Sequence, residues 1–432
     1  MPESVVDVAV IGGGHAGLAT SQLLASAGVR HVVLEKARIG ETWRTQRWDS
    51  FALNSPNKFN TLPGDTYQGS DPDGFATAGA FVSYLEDYAG RHHLPVEENS
   101  RVASVVRRGD AFHLTVESGG ASRRYVSNQV VIASGSMNEL KPPAFASAIP
   151  PKIEQFHAGN YRSAAALPKG AVLVVGSAQS GLQLAEDLLD AGRRVYLSTS
   201  AVGRVPRRYR GRDILEWLID SGFYDAKTED IADPKILELK QPQVSGVGPM
   251  GHTISIQSLS RKGAVVVGKT IGAKGGVIEL LPDAAEHVRY SDEFSASVKI
   301  MIEQYIMEHH IDAPPPGLDP ADEPDDKAAV SSTATSLDLK KEGVTSIVWA
   351  TGFTGDFRYL MGHPFDRAGK PVHRNGITKF PGLYIVGIPW LRTRKSGIVW
   401  GVNDDAPFIN ECVKLFMSHE SPAASPAAAT RA

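Results

Sequence analysis

Cysteine is nearly absent from this chain: Cys412 is the only one in 432 residues. One thiol cannot cycle through an intramolecular disulfide, so redox chemistry on a cysteine pair is excluded, as are zinc sites built on such pairs. Cys412 stands in the apolar run 408–416 and reads as a small packed hydrophobe. Long apolar runs are also missing. With no stretch of about 18 uncharged apolar residues, nothing is expected to span a membrane. Met1 to Asp7 lacks the basic and apolar regions of a secretory signal. Neither sign of charge dominates, since 45 basic against 48 acidic residues leave a net charge of −3. That balance offers no reason to expect nucleic acid or an acidic membrane as partner. The expectation is a soluble, cytosolic protein without a metal site, with a homodimer left open.

What is present is glycine, 42 residues of it, in a length that suits two or three domains. Val5 to Ile11 is a β-branched run that reads as a buried parallel strand. It enters Gly12-Gly13-Gly14-His15-Ala16-Gly17, followed by a helical apolar pattern and the strand His31 to Leu34, which ends on Glu35 and Lys36. Gly12 makes the tight turn, Gly14 lets backbone approach a pyrophosphate, and Gly17 lets helix pack on strand. The helix N-terminus offers N–H groups and a positive dipole end to phosphates. Glu35 can accept hydrogen bonds from both ribose hydroxyls. Strand, loop, helix, strand and acid occur in order, which makes this the surest site in the chain.

The pattern returns. Ala171 to Val175 leads into Gly176-Ser177-Ala178-Gln179-Ser180-Gly181, a helix to Ala191, and the strand Val195 to Leu197. The place of Glu35 is taken by Ser198. A carboxylate there would repel a 2′-phosphate, whereas Ser198 and Ser200 with nearby arginines, Arg207 and Arg208 foremost, would accept one. The second site is therefore expected to hold NADPH in preference to NADH, and some of the arginines between 204 and 212 are expected to be ion-paired instead.

With both loops in view, the chain resembles the class B flavoprotein monooxygenases, which include the flavin-containing monooxygenases, the YUCCA-type enzymes and, more distantly, the Baeyer–Villiger monooxygenases. The likeness covers about residues 5 to 415. Gly40-Glu41-Thr42-Trp43-Arg44 looks like the family's GxxWR segment, which contacts the flavin. Within Leu53-Asn54-Ser55-Pro56-Asn57-Lys58, the resemblance puts an asparagine beside the reactive flavin edge, with Asn54 favoured and Asn57 competing; a plain turn would contain the same string. Gln155 to Arg162 is similar to the second half of the fingerprint FxGxxxHxxxW. His157 and Tyr161 match it, and His157 is read as structural or domain-coupling. Val348 to Phe353, with Thr351 and Gly352, looks like the late ATG signature; Val130 to Gly135 is an earlier counterpart. Leu383 to Gly387 is a strand into a turn, and Ser396 to Asp405 opens a helix that the resemblance implies is aimed at the flavin pyrimidine.

The fold class implied is α/β, with two Rossmann-like dinucleotide-binding domains: a three-layer ββα FAD domain and an inserted NADPH domain. The FAD domain is expected at 1–148 and 331–432, the NADPH domain at 149–330, and a disordered tail at 421–432. The resemblance implies that NADPH reduces FAD and that the reduced flavin captures O₂ as a C4a-(hydro)peroxide, which oxygenates a soft nitrogen or sulfur centre of a small organic substrate. The alternatives are an NAD(P)H oxidase or electron-transfer reductase without oxygenation, and a nucleotide-sensing flavoprotein without turnover. Substrate identity is beyond the sequence.

Overall fold

The computed structural model describes residues 3–239, 241–324, 333–366 and 369–420; the expected tail at 421–432 lies outside them. In the strand Glu3–Ile11, Val8, Ala9 and Val10 are fully buried. Alternate side chains feed opposite cores: Val8 and Val10 pack with Leu18 and Leu24 of the helix His15–Ser26, while Ala9 and Ile11 pack with Phe112 and Leu114. A strand buried on both faces is the signature of a covered parallel sheet. Glu3–Ile11 pairs in parallel with His31–Leu34 on one side and Ala121–Ile132 on the other, with Ile11 level with Leu34 and Ile132. Val96–Glu97 and Leu383–Ile385 extend the parallel run outward. The hairpin Arg101–Arg108 and Ala111–Ser118 joins Ala121–Ile132 antiparallel and covers one face.

The second sheet repeats this plan. Its five strands are all parallel, in the order Val265–Val267, Val195–Ser198, Ala171–Val175, Val344–Trp349, Glu154–His157. Val172 and Val174 face the core that holds Leu182, Leu184 and Leu188 of the helix Gln179–Asp190. Leu173 and Val175 face a core with Ile278, Leu280 and Leu337 from an antiparallel trio, Thr270–Lys274, Val277–Leu280 and Ser336–Asp338. Each domain is thus helix, parallel sheet and antiparallel meander in three layers, and the fold holds two Rossmann-like domains.

One boundary needs correction. The second domain does not end at 330, because Ser336–Asp338 and Val344–Trp349 are both paired within its sheets. The chain returns to the first domain only after Trp349. A β-rich run with no helix between 333 and 349 carries no local mark of which sheet it joins.

The C-terminal helix Val402–Glu420 closes the first domain, burying Ala406, Ile409 and Val413 in the core that also holds Leu18 and Leu24. Asp405 in its first turn is 1% exposed. Arg392 approaches it only to 3.9 Å, Lys395 is bound to the neighbouring Asp404, and Asp405 Oδ2 is buried without a partner. Burial outweighs the opposing hydrogen bond from Ser396 and pushes the carboxyl up to about 6. An acid whose folded pKa is raised favours the fold when protonated. Its penalty is therefore absent near pH 4, grows as pH rises, and is full above pH 6. Asp405→Asn is expected to stabilise the protein at pH 7 by roughly 1–3 kcal/mol and to lose that advantage by pH 4, as read by urea unfolding of both proteins.

Candidate functional site: two glycine loops and a cavity

The two loops are built by the same steric rule. Gly12 has φ +111° and Gly176 φ +109°. A Cβ on Gly12 would lie 2.6 Å from the carbonyl oxygen of Ala133, and one on Gly176 would lie 2.6 Å from that of Ala350. A Cβ on Gly17 would overlap the Gly12 carbonyl, and one on Gly181 the Gly176 carbonyl. Each loop therefore passes over the end of a neighbouring strand at backbone contact distance, where only glycine fits. The two neighbouring segments are Val130 to Gly135 and Val348 to Gly352. Thr351 and Gly352 thus stand beside the second loop, not in the first cavity. There Thr351 Oγ1 donates to the Lys141 carbonyl at 2.6 Å, and the His157 ring nitrogen lies 2.9 Å from the Gly352 carbonyl. His157 also accepts from Gly159 N–H at 3.1 Å, so it braces this turn.

Both helices that follow begin without a side-chain cap and without an acid in the first turn, at Gly14 for His15–Ser26 and at Ala178 for Gln179–Asp190. The first N–H groups of a helix need partners. Two repeated helices that leave them uncapped at glycine-rich turns have the geometry suited to anions.

Above the first loop lies a cavity of ≈490 Å³, within the range of cofactor pockets. Gly12, Gly14, Ala16, Glu35, Lys36, Thr42, Trp43 and Gly387 all line it. The Glu35 carboxylate accepts from Gly13 N–H at 2.6 Å and Ala37 N–H at 2.9 Å, which fixes its plane at the strand end. Burial is the largest influence on it and raises its pKa in spite of those bonds. Gly17 lies beneath the loop, packed against it.

Arg44 is not a wall of this cavity. It pairs with Glu86 and bonds the Ile39 carbonyl at 3.3 Å. Arg47 does line it: its guanidinium lies 4.6 Å from the Trp43 ring and 5.2 Å from Phe51, Nη1 donates to the Gln46 carbonyl at 2.8 Å, and among the described residues it has no carboxylate partner. Burial pushes it down to about 10. A cation held on an aromatic face without a counter-ion is suited to phosphate. Arg47 lies two residues past the helix Glu41–Thr45 that carries Trp43 and folds back over the Trp43 ring. His15 was also overlooked. It lines the cavity, its Nε2 is buried without a partner, and burial pushes it down to about 4, so the imidazole is neutral at pH 7. Tyr359 and Asn138 complete the wall. Tyr359 shares a 2.8 Å hydrogen bond with Ser134, and Asn138 accepts from Asp356 N–H at 3.1 Å.

The two asparagines part company. Asn57 serves its own loop, donating to the Asp71 carbonyl at 2.9 Å as it opens the 3-10 turn Asn57–Phe59. Its Oδ1 is buried without a partner, and Asn57 is not among the residues that line the first cavity. Asn54 lies at the seam between domains, where its Oδ1 accepts from Gln183 Nε2 at 3.3 Å and its carbonyl accepts from Arg207 at 2.8 Å.

Two assignments at the second loop are likewise corrected. Ser198 is 1% exposed; its hydroxyl donates to the Gly268 carbonyl at 2.9 Å and accepts from Thr270 N–H at 3.0 Å, so it holds strands together and has no capacity left for a phosphate. Arg207 is 1% exposed and bonded to Asp213 and Asn54. Arg204 pairs with Asp292 and Asp322, Arg210 with Glu303, and Arg212 with Glu216 and Asp220. Arg208 is exposed and donates to the Gly251 carbonyl at 3.1 Å. Ser200 stays at the strand end, its N–H bonded to Ser177 at 2.9 Å. Gln179 is tied to the 244–245 backbone, accepting from Val244 N–H and donating to Ser245 O. Ala178, Ser180 and Gly181 shape the turn, and of the arginines between 204 and 212 only Arg208 is exposed, with no ion pair among the described residues. Among the described residues no group of three or more His, Cys, Asp or Glu side chains could hold a metal ion, and no helix is long and apolar enough to cross a membrane.

Residues 9–218 match the family profile described as pyridine nucleotide-disulphide oxidoreductase. An uncharacterized CzcO-like oxidoreductase of Geobacillus kaustophilus is 28% identical over 410 residues, covering 94% of this chain and 98% of that one. The indole-3-pyruvate monooxygenase YUCCA6 of Arabidopsis thaliana is 28% identical over 308 residues, 66% of this chain and 71% of the relative. Among solved structures, the flavin-containing monooxygenase from Stenotrophomonas maltophilia superposes with a TM-score of 0.63 at 18% identity, over 96% of this chain and 99% of that one; at that identity the likeness concerns the fold. The profile's name includes a disulphide, but the lone Cys412 sits on the C-terminal helix, half-buried, with its thiol pushed up by burial.

Arg47→Ala is expected to weaken FAD binding about tenfold or more, and Arg44→Ala by less than about twofold, as measured by flavin fluorescence on titration of the apoprotein. Equal effects would return the phosphate contact to Arg44. The chain is thus similar in sequence to CzcO-like oxidoreductases and YUCCA-type monooxygenases, and it shares its fold with a flavin-containing monooxygenase.

Proposed function

We propose that the protein is an FAD- and NADPH-dependent monooxygenase acting on a soft nitrogen or sulfur centre of a small organic molecule. The observation that carries this reading is the pair of uncapped, glycine-cradled helix starts, one of them under a cavity lined by the carboxylate of Glu35 and by Arg47, which has no carboxylate partner among the described residues. The first cavity fits FAD by its donor set. Glu35 suits ribose hydroxyls, the N–H groups from Gly14 onward and Arg47 suit the pyrophosphate, and Trp43, Asn138 and Gly387 line the remainder. When bound, FAD would accept a hydride from NADPH and activate dioxygen.

The second loop would hold the NADPH pyrophosphate on its backbone N–H groups. Preference for the 2′-phosphate rests on the missing carboxylate at the strand end, where Ser198 is inward and the half-buried Ser200 follows with its N–H bonded to Ser177. Asn54, set at the domain seam and outside the lining of the first cavity, is the residue that the family resemblance puts at the reactive edge. Oxygen transfer to a soft nucleophile needs no dedicated protein acid, in keeping with the neutral His15 and the absence of a cysteine from the cavity lining.

Anaerobic NADPH is expected to bleach bound FAD. In air, NADPH consumption across a panel of amines, sulfides, indoles and ketones should rise with at least one amine or sulfide and give a product one oxygen heavier. Peroxide equal to NADPH consumed with every member of the panel would leave an oxidase and sink the monooxygenase reading. Placing a carboxylate at the strand end, Ser200→Glu, is expected to raise the KM for NADPH at least about tenfold while leaving that for NADH within about twofold.

A further inference from the structure

Arg207 is almost wholly buried, yet it belongs to neither domain's core alone. Its Nη2 donates to Asp213, which also caps the helix Ile214–Asp220 by accepting from Leu215 N–H at 2.9 Å. Its backbone N–H donates to Thr253 Oγ1 at 2.6 Å. Those partners are in the second domain. The rest of the guanidinium reaches across the seam: it stacks 4.8 Å from the ring of Phe75, and Nη1 donates to the Asn54 carbonyl at 2.8 Å. A buried arginine with one carboxylate partner keeps its charge only if its geometry is held, so its position is strongly specified.

Asn54 is held a second time, through its side chain. Gln183 Nε2 donates to Asn54 Oδ1 at 3.3 Å and to the Gly246 carbonyl at 2.9 Å. Gln183 is on the helix that starts at the second glycine loop, one turn beyond Gln179 and on the same face. Gln179, Gln183 and Glu186 form a row along that face, and all three bond the segment 244–252, through Val244, Ser245, Gly246, Val247 and His252. Both the backbone and the amide of Asn54 are thus bonded to side chains of the second domain, one of them on the helix that would receive the second nucleotide.

We propose that Gln183 and Arg207 are positioning residues that set Asn54 from the second domain, so that the edge of the first site assigned to Asn54 is complete only when the second nucleotide helix is docked. This rests on the reading of Asn54 given under the proposed function. The arrangement gives the enzyme a physical link between domain docking and flavin environment: a displacement of the helix Gln179–Asp190 would pull the Asn54 amide directly and would not need to pass through the cavity wall.

The test uses the full-length, FAD-loaded protein. Gln183→Met removes, at similar volume, the amide that donates to both Asn54 and Gly246, and Arg207→Met combined with Asp213→Asn removes both buried charges together, avoiding an unpaired carboxylate. Asn54→Ala and Asn54→Ala/Gln183→Met complete the set. Three readouts are taken: hydrogen exchange of residues 52–60, the visible spectrum of bound FAD, and the anaerobic rate of flavin reduction by NADPH with its concentration dependence. Faster exchange is expected in Gln183→Met, with the same spectral shift as Asn54→Ala. The reduction rate should drop about tenfold, with the half-saturating NADPH concentration within about twofold of the parent. Adding Gln183→Met to Asn54→Ala should change nothing more, because one acts through the other. If Asn54→Ala moves spectrum and rate but Gln183→Met and the Arg207/Asp213 pair move neither, the positioning role is overturned while the role of Asn54 stands. If Asn54→Ala itself moves neither, the reading of Asn54 falls and the proposal falls with it.

Discussion

A glycine carrying no Cβ, passed over the carbonyl of a neighbouring strand, is the contact on which both halves of this molecule depend. At Gly12 over Ala133 and at Gly176 over Ala350 a methyl group would sit inside contact distance of backbone that cannot move without breaking a parallel sheet. The same crowding aims the next helix. With Gly17 and Gly181 pressed on the loop carbonyls, each helix starts directly over its strand, and its first N–H groups face outward with no side chain to satisfy them. An anion site is then a consequence of sheet packing, available twice because the packing occurs twice.

Around that constraint the two domains diverge in what they do with charge. The first leaves polar groups without side-chain partners at its cavity: among the described residues Arg47 has no carboxylate partner, the neutral His15 has Nε2 unbonded, and Glu35 is bonded only to backbone N–H. Such groups are costly without a ligand and are compensated by one. The second domain pairs nearly every arginine of its basic run internally, and one of them, Arg207, spends its hydrogen bonds on the domain seam. The basic run that reads as a phosphate grip in one dimension is mostly scaffold in three.

Periodicity and turn chemistry made much of this legible. The β-branched runs, the glycine spacing and the acid at Glu35 are local features, so strand, loop and helix could be placed by residue number, along with most of the cavity wall from Gly12 to Trp43. What sequence spacing could not supply was which groups are already occupied. Ser198 and Glu35 hold equivalent places in the two units, but Ser198 is consumed by Gly268 and Thr270, some seventy residues away in the chain. Arg44 and Arg47 differ by three positions, and Glu86 decides between them. Asn54 and Asn57 look alike in a turn-rich string until Gln183 and Arg207 arrive from the other domain.

The sequence by itself therefore determined the number of nucleotide units, their order, the need for glycine at each loop and the exclusion of cysteine-pair chemistry, because backbone sterics and residue inventory act over a few neighbours. Only the tertiary structure decided where the second domain ends, which arginine faces the cavity, and which asparagine meets the second domain. Hydrogen-bond capacity is finite, and long-range partners claim it before any ligand does.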